Sequence, residues 1–314
     1  MNQKNKKIEQ AENYLSQGRY NEAIELLHDL RKTLPDEESV LLMLAWAYYD
    51  SGNTGRAVES FRELFERELR RNIFTGFAYD ELVRIYKQEK KYRQLAEICE
   101  KAVCAQAQDI GLLAELGNAY LRSGNPQKAR VVYEKIVRLD EDNAFFYCCW
   151  GEALFACEMI KESEDAYERA CQIEPEQSGN YYFKLAVLFQ KAQKYDEAVR
   201  IINKCIAANP ENALYYCSRG DCLIYLGKIQ DALQEYEKAL EHGRPGNAGA
   251  YFNRLGNLLM KEKHYFAAAA AFERAIEHEK IQTYYLGLAS AYRAMGREDK
   301  FHGILSRLND IKQN

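Results

Sequence analysis

The stretch NAFFYCCWGEALFAC (residues 143–157) concentrates side chains that could do chemistry. It holds three cysteines and a tryptophan among several other aromatic residues. Adjacent thiols beside an indole are compatible with a redox pair, with part of a metal site or with ordinary helix packing. The choice between these three depends on the elements that surround the stretch.

The spacing of the cysteines argues against redox and metal chemistry. Cys148 and Cys149 are consecutive, so on a helix their side chains diverge by about 100°, which disfavours a disulfide between them. None of the nine cysteines belongs to a CxxC motif, and no third ligand lies near the pair in sequence. We interpret them as packing or groove residues, with a reactive groove thiol as the alternative. An odd number of cysteines, spread from Cys99 to Cys222, is typical of reduced thiols in the cytoplasm.

The other residues with catalytic or ligand chemistry are isolated from one another. The five histidines form no HExxH motif or other ligand-spaced pair, and we expect solvated surface positions for them. They are His28, His242, His264, His278 and His302. GRPGNAG (243–249) lacks the spacing of a phosphate-binding loop, and LDEDN (139–143) is too short for a calcium loop. We therefore predict no catalytic residue, no metal and no cofactor, and a protein that is not an enzyme.

Composition and charge exclude two classes of partner. The chain has 314 residues, a formal charge of −4 and a pI of 5.9, so we expect no nucleic-acid partner. The longest apolar runs, such as LLMLAWAYY (41–49), are too short to span a bilayer. The basic start MNQKNKKIEQ leads into a charged helical pattern without an apolar core. These observations predict no signal peptide, no membrane insertion and a cytoplasmic location.

Self-similarity along the chain is the strongest signal. A mostly small anchor residue recurs at steps of 33–38 residues, often after a short turn as in RYNEA (19–23). The anchors are Ala23, Ala57, Leu95, Ala129, Ser163, Ala198, Ala232, Ala268 and Phe301. Twelve residues before them lie Ala11, Ala45, Val83, Gly117, Gly151, Ala186, Gly220, Gly256 and Ala289. Four residues after most anchors a large apolar residue follows, as in Phe61 and Tyr133.

This spacing predicts two antiparallel helices per repeat. Their axes approach closely at the small residues, while the large residue fills the space between neighbouring repeats. Five glycines fall between the two helices, where a left-handed helix cap favours glycine. They are Gly18, Gly52, Gly124, Gly227 and Gly296. Asn125 and Pro126 suit a helix cap and the first helical residue after it.

The period and pattern resemble the tetratricopeptide repeat (TPR), a 34-residue helix–turn–helix unit. The best matches are LLAELGNAYLRSGNPQKARVVYEKIVRLDEDN (112–143) and the repeat that begins at Ala213. The resemblance implies an all-α fold, a right-handed superhelical α-solenoid of about nine TPR units in a single domain, 1–314. The units are expected at about 4–37, 38–71, 76–109, 110–143, 144–177, 179–212, 213–246, 249–281 and, as a capping unit, 282–314.

One unit departs from the pattern. The unit 76–109 has Val83 and Leu95 at its two small positions, and four extra residues around NIFT (72–75) precede it. We expect a local change of geometry there, either a lengthened helix or a kink.

The resemblance also implies that the first helix of each unit lines a concave groove. We predict that its inward side chains bind a peptide: Met43, Trp46, Tyr49, Arg84, Lys87, Asn118, Arg122, Phe145, Cys149, Glu152, Phe155, Phe183, Lys184, Asn253, Arg254 and Asn257. The same map of inward positions includes Asp80, Glu115, Lys191, Cys217, Asp221 and Ile224. Partial burial of the apolar members as packing residues is the alternative.

Two ligand codes known in the family are not matched. The carboxylate clamp of heat-shock co-chaperones uses lysine, asparagine and arginine on consecutive first helices. Only Asn253, Arg254 and Asn257 approach it, without lysine partners. The asparagine ladder of the sugar-transferase branch is missing as well.

The resulting hypothesis is a non-enzymatic scaffold or adaptor that binds a partner peptide or domain in the groove, with homo-oligomerisation left open. The alternative is a peptide- or redox-sensing regulator that uses the same array and its thiols. The stretch at 143–157 then belongs to the first helix of the fifth unit, where Trp150 and Gly151 take the large and small packing positions.

Overall fold

The computed structural model describes residues 3–313. Met1, Asn2 and Asn314, which the predicted domain 1–314 includes, lie outside the described residues. Within the described range every regular element is helical and no strand occurs. The prediction of an all-α fold built from helix–turn–helix units is confirmed.

The chain divides into two compact units, and the first one extends to Glu141. Its described residues form eight helices in four consecutive pairs, and each helix packs on the next one along the chain. The helices are α1 (Gln3–Ser16), α2 (Tyr20–Thr33), α3 (Glu38–Asp50), α4 (Thr54–Arg70), α5 (Phe77–Gln88), α6 (Tyr92–Ala105), α7 (Ile110–Arg122) and α8 (Pro126–Leu139).

The second unit begins at Asp142, and its described residues form ten α-helices in five pairs, with short 3-10 helices at Pro175–Gln177 and Pro245–Asn247. They are α9 (Ala144–Ala156), α10 (Ile160–Ile173), α11 (Ser178–Lys191), α12 (Tyr195–Ala208), α13 (Ala213–Tyr225), α14 (Ile229–His242), α15 (Ala248–Lys261), α16 (Tyr265–His278), α17 (Gln282–Ala294) and α18 (Glu298–Gln313). First helices of successive pairs also touch, namely α9 with α11, α13 with α15 and α15 with α17. Side chains of the first helices are therefore neighbours on one face of this unit.

In four helix pairs an aromatic ring of the second helix lies on a glycine of the first helix. The pairs are Gly117 with Tyr133, Gly151 with Tyr167, Gly220 with Tyr236 and Gly256 with Phe272. A Cβ atom on these glycines would lie only 2.7–2.8 Å from the ring, and all four rings are buried. The large residue was expected to fill the space between neighbouring repeats. It packs inside its own pair, which explains why the first helix needs glycine there. The Phe272 ring also reaches the next pair as expected, since a Cβ atom on Gly287 of α17 would lie 2.4 Å from it.

In the pair α5–α6 the large and small residues are exchanged between the two helices. Val83 stands where the other pairs have glycine or alanine, and the small, fully buried Cys99 stands where they have a ring or a large aliphatic side chain. The residues that precede this pair lengthen α4 to 17 residues, against 14 in α2 and α6. Phe74 then packs on Phe65 and Tyr79, with ring centroids 6.1 and 5.7 Å apart. Of the two expected outcomes, the lengthened helix is the one observed.

The turns inside the pairs contain a residue with left-handed backbone. The five predicted glycines have φ between 70° and 82°. In the other four pairs a non-glycine residue takes this conformation with φ of 56–65°, namely Lys90, Glu158, Gln193 and Lys263. Left-handed backbone costs free energy for a residue with a Cβ atom, so these four turns are less relaxed than the glycine turns.

Candidate functional site

The sixteen predicted binding side chains all lie on first helices and all keep contact with solvent. Nine are exposed: Arg84, Lys87, Asn118, Arg122, Phe145, Glu152, Lys184, Arg254 and Asn257. Seven are half-buried: Met43, Trp46, Tyr49, Cys149, Phe155, Phe183 and Asn253. Cys217 and Ile224 were expected at the groove as well, but they are 0 and 2% exposed and belong to the core of the second unit, which corrects that expectation.

In the first unit the predicted side chains are engaged with one another. The Trp46 ring makes edge contacts with Phe61 and Tyr49, at centroid distances of 5.6 and 6.0 Å. Arg84 Nη1 donates to the Tyr49 hydroxyl at 2.9 Å, and Arg84 Nε donates to Glu81 at 2.8 Å. The hydrogen bond with Tyr49, followed by that with Glu81, raises the pKa of Arg84.

A second ion pair extends this network from α5 to α7. Lys87 Nζ donates to Glu115 Oε2 at 2.7 Å. Arg122, at the end of α7, lies over the ring of Tyr92 at 6.0 Å. We call Trp46, Tyr49, Arg84, Lys87 and Glu115 the first-unit face; it is polar, and its charges are matched within the chain.

In the second unit the corresponding side chains include more aromatic groups, of which Phe145 is open to solvent, together with the exposed charges of Glu152 and Lys184. Phe145, the second residue of α9, is 56% exposed, and its ring meets that of Phe146 at 5.6 Å. Lys184 Nζ lies 5.8 Å from the Phe145 ring and 5.5 Å from the Tyr181 ring. A cation over aromatic faces is attracted by their quadrupoles, so the ammonium group is held beside an exposed ring.

Two further aromatic side chains on this face rest on buried rings. Phe155 packs edge-on against Phe189 at 5.1 Å, and Phe183 packs on Tyr215 at 5.2 Å. Their orientation is thus determined by the core, which lowers the conformational entropy that a ligand would have to remove.

Leu214 belongs to this face and was missed by sequence reasoning. It is 48% exposed and is the second residue of α13, the same helix position that Phe145 has in α9. The matching position in the two repeats is the signal that could have identified it. We call Phe145, Phe155, Phe183, Lys184 and Leu214 the second-unit face.

Of the three predicted polar side chains on α15, Asn253, Arg254 and Asn257, the arginine forms an ion pair within the chain. Arg254 Nε donates to Asp221 Oδ2 at 3.0 Å, and the same carboxylate accepts a hydrogen bond from the buried Tyr236 hydroxyl at 2.5 Å. The guanidinium of Arg254 therefore already has a carboxylate partner within the chain, whereas Asn257 is exposed beside it.

Most of the thiols are unsuited to chemistry at neutral pH. Burial raises the pKa of Cys99, Cys148, Cys205 and Cys217 to about 12 and that of Cys222 to about 11. Cys148, considered above as a groove thiol, is 4% exposed and lies in the core. Cys149 on the same helix is half-buried, and Cys104 is exposed.

The histidines have packing roles more often than expected. His242 and His278, in the last turns of α14 and α16, stack on Tyr216 and Phe252 at 4.9 and 5.9 Å. His28 Nε2 is 2.5 Å from the Tyr48 hydroxyl. Among the described residues no group of three or more His, Cys, Asp or Glu side chains is placed to hold a metal ion. None of the described helices combines the length and apolar character that crossing a membrane requires.

Comparison with known proteins links the fold to one family. Family models described as tetratricopeptide repeat match residues 14–69, 111–143, 183–250 and 223–277. A solved tetratricopeptide repeat protein from Parabacteroides merdae is similar with a TM-score of 0.51 at 19% identity, over 81% of this chain and 98% of that one. This similarity shows a shared fold.

Curated relatives match over shorter shares of their length. Stress-induced-phosphoprotein 1 of Caenorhabditis elegans is 27% identical over 174 residues, which are 52% of this chain and 50% of that protein. Hsp70-Hsp90 organizing protein 3 of Arabidopsis thaliana is 24% identical over 249 residues, or 74% of this chain and 41% of that protein. The chain thus spans half or less of the length of these two relatives.

Proposed function

Because this chain belongs to the tetratricopeptide repeat family, we propose that it is a non-enzymatic interaction adaptor which binds a segment of a partner protein on its second-unit face. The repeats and the relatives named as organizing proteins support a role in protein–protein interaction. The choice of face is our own and rests on the contrast between the two units.

The observation that carries the proposal is the exposure of Phe145 and Leu214 at matching helix positions. Full burial of one such side chain is worth roughly 1.5–3 kcal/mol, so covering their exposed halves would stabilise a complex by about 1 kcal/mol each. Phe155 and Phe183, held by rings beneath them, extend the apolar surface. Rigid aromatic side chains of this kind concentrate binding energy at interfaces.

Lys184 adds a chemical preference to the apolar surface. Its ammonium group is exposed and lies beside the Phe145 ring. A partner segment with an acidic residue next to its apolar side chains would satisfy both groups at once. The first-unit face offers a partner segment fewer available charged groups, because Arg84 and Lys87 already have partners within the chain.

The α15 side chains do not favour a chaperone-organizing role. The name of the Arabidopsis relative refers to Hsp70 and Hsp90. In this sequence the side chains that approach a carboxylate clamp are Asn253, Arg254 and Asn257 on α15, and Arg254 is paired with Asp221. The redox-sensing alternative receives no support from the buried thiols, whose raised pKa values keep them protonated. The cysteine usage supports a reducing, cytoplasmic compartment as the place of the proposed function.

The test uses the full chain and a phage-displayed library of random peptides. Selected peptides are synthesised with a fluorophore, and their affinity is measured by fluorescence anisotropy. For the double variant Phe145→Ala with Leu214→Ala we expect about 30-fold weaker binding, because about 2 kcal/mol of apolar burial is lost. Val131→Ala is the matched control, since Val131 is 55% exposed but lies on the second helix α8. Unchanged affinity of the double variant would show that the second-unit face does not bind the peptides.

A further inference from the structure

A polar cluster in the first unit joins three helices at one hydroxyl group. Tyr48 on α3 is 4% exposed, and its hydroxyl lies 2.5 Å from Nε2 of His28 on α2. Arg56 on α4 donates to the same hydroxyl from Nη1 at 3.4 Å, and its guanidinium lies over the Tyr48 ring at 5.5 Å. The Tyr48 hydroxyl is therefore a shared contact of α2, α3 and α4.

The hydrogen-bond donors at this hydroxyl determine which charge state of His28 fits. The guanidinium of Arg56 is always protonated and only donates, so it occupies an oxygen lone pair of Tyr48. The hydroxyl proton then points to Nε2 of His28, which accepts it only when that nitrogen carries no proton. A protonated imidazole would donate instead, so the hydroxyl would meet two donors and its own proton would lose this acceptor. The arrangement thus fits a neutral imidazole with its proton on Nδ1.

The charges around His28 favour the neutral imidazole as well. Three cations and one carboxylate act on it: Arg31, Arg56, Lys32 and Asp29. Burial, followed by the charges of Arg31 and Arg56, lowers the pKa of His28. A positive charge on this ring would be partly removed from water and would be repelled by its neighbours.

The carboxylates near this site are engaged mainly with other cations. Asp29 accepts a hydrogen bond from Lys32 Nζ at 2.9 Å and lies in the field of Lys7 on α1, which also packs on α2. Glu63 of α4 forms an ion pair with Arg31. An imidazolium at His28 would therefore be poorly balanced by negative charge.

We propose that the contact between His28 and Tyr48 is a pH-sensitive switch in the first unit. While the imidazole is neutral, the contact holds α2 on α3, and protonation of His28 detaches α2 from α3. Protonation places a positive charge beside Arg56 and deprives the buried Tyr48 hydroxyl of its acceptor. Both penalties disappear when water reaches the separated groups. Trp46, two residues before Tyr48 on α3, lies close to this change.

The direction of the pH effect follows from the lowered pKa of His28. In the unfolded chain the imidazole takes up a proton as the pH falls below about 6.5, whereas in the folded unit it stays neutral to lower pH. The stabilisation by the neutral contact is therefore complete above pH 6.5 and is lost as the pH falls through this value towards the lower pKa of the folded state. At pH 5 this histidine alone should lower the folding equilibrium constant of the first unit by up to about 30-fold.

The test compares the full chain with its His28→Gln variant, both carrying Trp150→Phe so that Trp46 is the fluorescence reporter. The amide oxygen of glutamine accepts the Tyr48 hydrogen bond at every pH. In urea denaturation between pH 7.5 and pH 5, we expect the folding equilibrium constant of the chain with His28 to fall about 10- to 30-fold more than that of the variant. His302→Gln is the control, because that exposed histidine belongs to the second unit, and it should retain the full loss.

Two measurements on the chain that keeps His28 make the test independent of how well the variant folds. A histidine titration followed by NMR should give His28 a pKa below 6.5. Hydrogen exchange, corrected for the intrinsic exchange rate, should show α2 open about tenfold more often at pH 5 than at pH 7. The proposal is overturned by a His28 that titrates at or above 6.5, or by equal pH dependence with and without the His28→Gln substitution.

The result is separable from the proposed function. Phe145→Ala with Leu214→Ala should keep the acid-dependent loss in the first unit. His28→Gln should bind the selected peptides with unchanged affinity, because the second-unit face belongs to the other unit. A pH-dependent loss that His28→Gln removes therefore supports the switch even if no peptide binds the second-unit face.

Discussion

The two first-helix faces use the same helix type but leave their side chains in different states. On the first-unit face Arg84 and Lys87 have partners from neighbouring helices, so little free energy is left for a ligand. On the second-unit face Phe145 and Leu214 remain in contact with water. The contrast indicates that repeats with the same backbone geometry can differ in their capacity to bind a ligand. A few outward side chains decide whether the surface groups are paired within the chain or available to a partner.

The largest expected difference between the units is in alkaline stability. Burial raises the pKa of five thiols described in the second unit, Cys148, Cys171, Cys205, Cys217 and Cys222, and of Cys99 in the first. A raised pKa means that the folded state holds the proton. The stabilisation of the folded state by these protonated thiols is therefore complete below the ordinary thiol pKa. It is lost as the pH rises through about 9 towards 11–12.

At pH 10 each of these thiols should lower the free energy of unfolding by about 1 kcal/mol, so the second unit should lose about 5 kcal/mol and the first about 1 kcal/mol. Each unit contains one tryptophan, Trp46 or Trp150, which makes local urea unfolding measurable by fluorescence. Replacing one tryptophan by phenylalanine leaves the other as the reporter. Equal losses in both units between pH 8 and pH 10 would contradict the prediction.

The next effect concerns the packing of α9 on α10, the helix pair that carries Phe145 and Phe155. Gly151→Ala should destabilise the second unit by about 2 kcal/mol, because the new Cβ would lie 2.7 Å from the Tyr167 ring. Gly55→Ala in α4 is the control: its Cβ meets no atom within 4 Å, and alanine favours a helix by about 0.5–1 kcal/mol. Urea denaturation with both tryptophan reporters measures the two changes; a stabilising Gly151→Ala would refute the close packing.

A smaller effect is expected from the first-unit face. Arg84→Ala with Lys87→Ala should change affinity for the selected peptides less than about threefold and lower stability by about 0.5–1 kcal/mol, as exposed ion pairs usually do. Anisotropy and urea denaturation give the two values. A loss of peptide affinity comparable to that of the Phe145 and Leu214 double variant would remove the distinction between the faces.

The smallest effect concerns the turns. Gln193 has left-handed backbone with φ of 58°, where the first unit uses glycine in three of its four turns. Gln193→Gly should therefore stabilise the second unit by about 0.5 kcal/mol, while Gly124→Ala should destabilise the first by about 1 kcal/mol. Thermal unfolding detects both shifts. A destabilised Gln193→Gly would mean that its side chain contributes more than the strained backbone costs.

The fold was predictable because its determinants repeat. Glycine at the turns and small residues at the anchors recur along the chain, so each repeat supports the interpretation of the next. The ring position was assigned only to the contact between repeats, which Phe272 does make with Gly287. The contact within the pair was missed, since the pattern gives the spacing of Tyr167 from Gly151 but not which surfaces the ring covers. That depends on the helix-to-helix distance, which only the packed structure provides.

The site was less predictable, for reasons visible at single residues. Cys217 holds the fifth position of α13, as Cys148 does in α9, and both are buried; the helical projection placed Cys217 at the groove although this position faces the core. The pairing of Arg84 with Tyr49 joins residues 35 positions apart and depends on how two first helices are offset. Leu214 looked like an ordinary apolar residue of a helix start until its exposure was known.

The ring-on-glycine contact has a consequence for how such arrays can be recombined. Exchanging α6 for α8 would set Tyr133 against Val83, where no room exists, and Cys99 against Gly117, where a void would remain. Single helices are therefore not interchangeable parts, although every one of them fits the same consensus. The smallest exchangeable building block is the helix pair, and shuffling or grafting of these repeats should keep both members of each pair together.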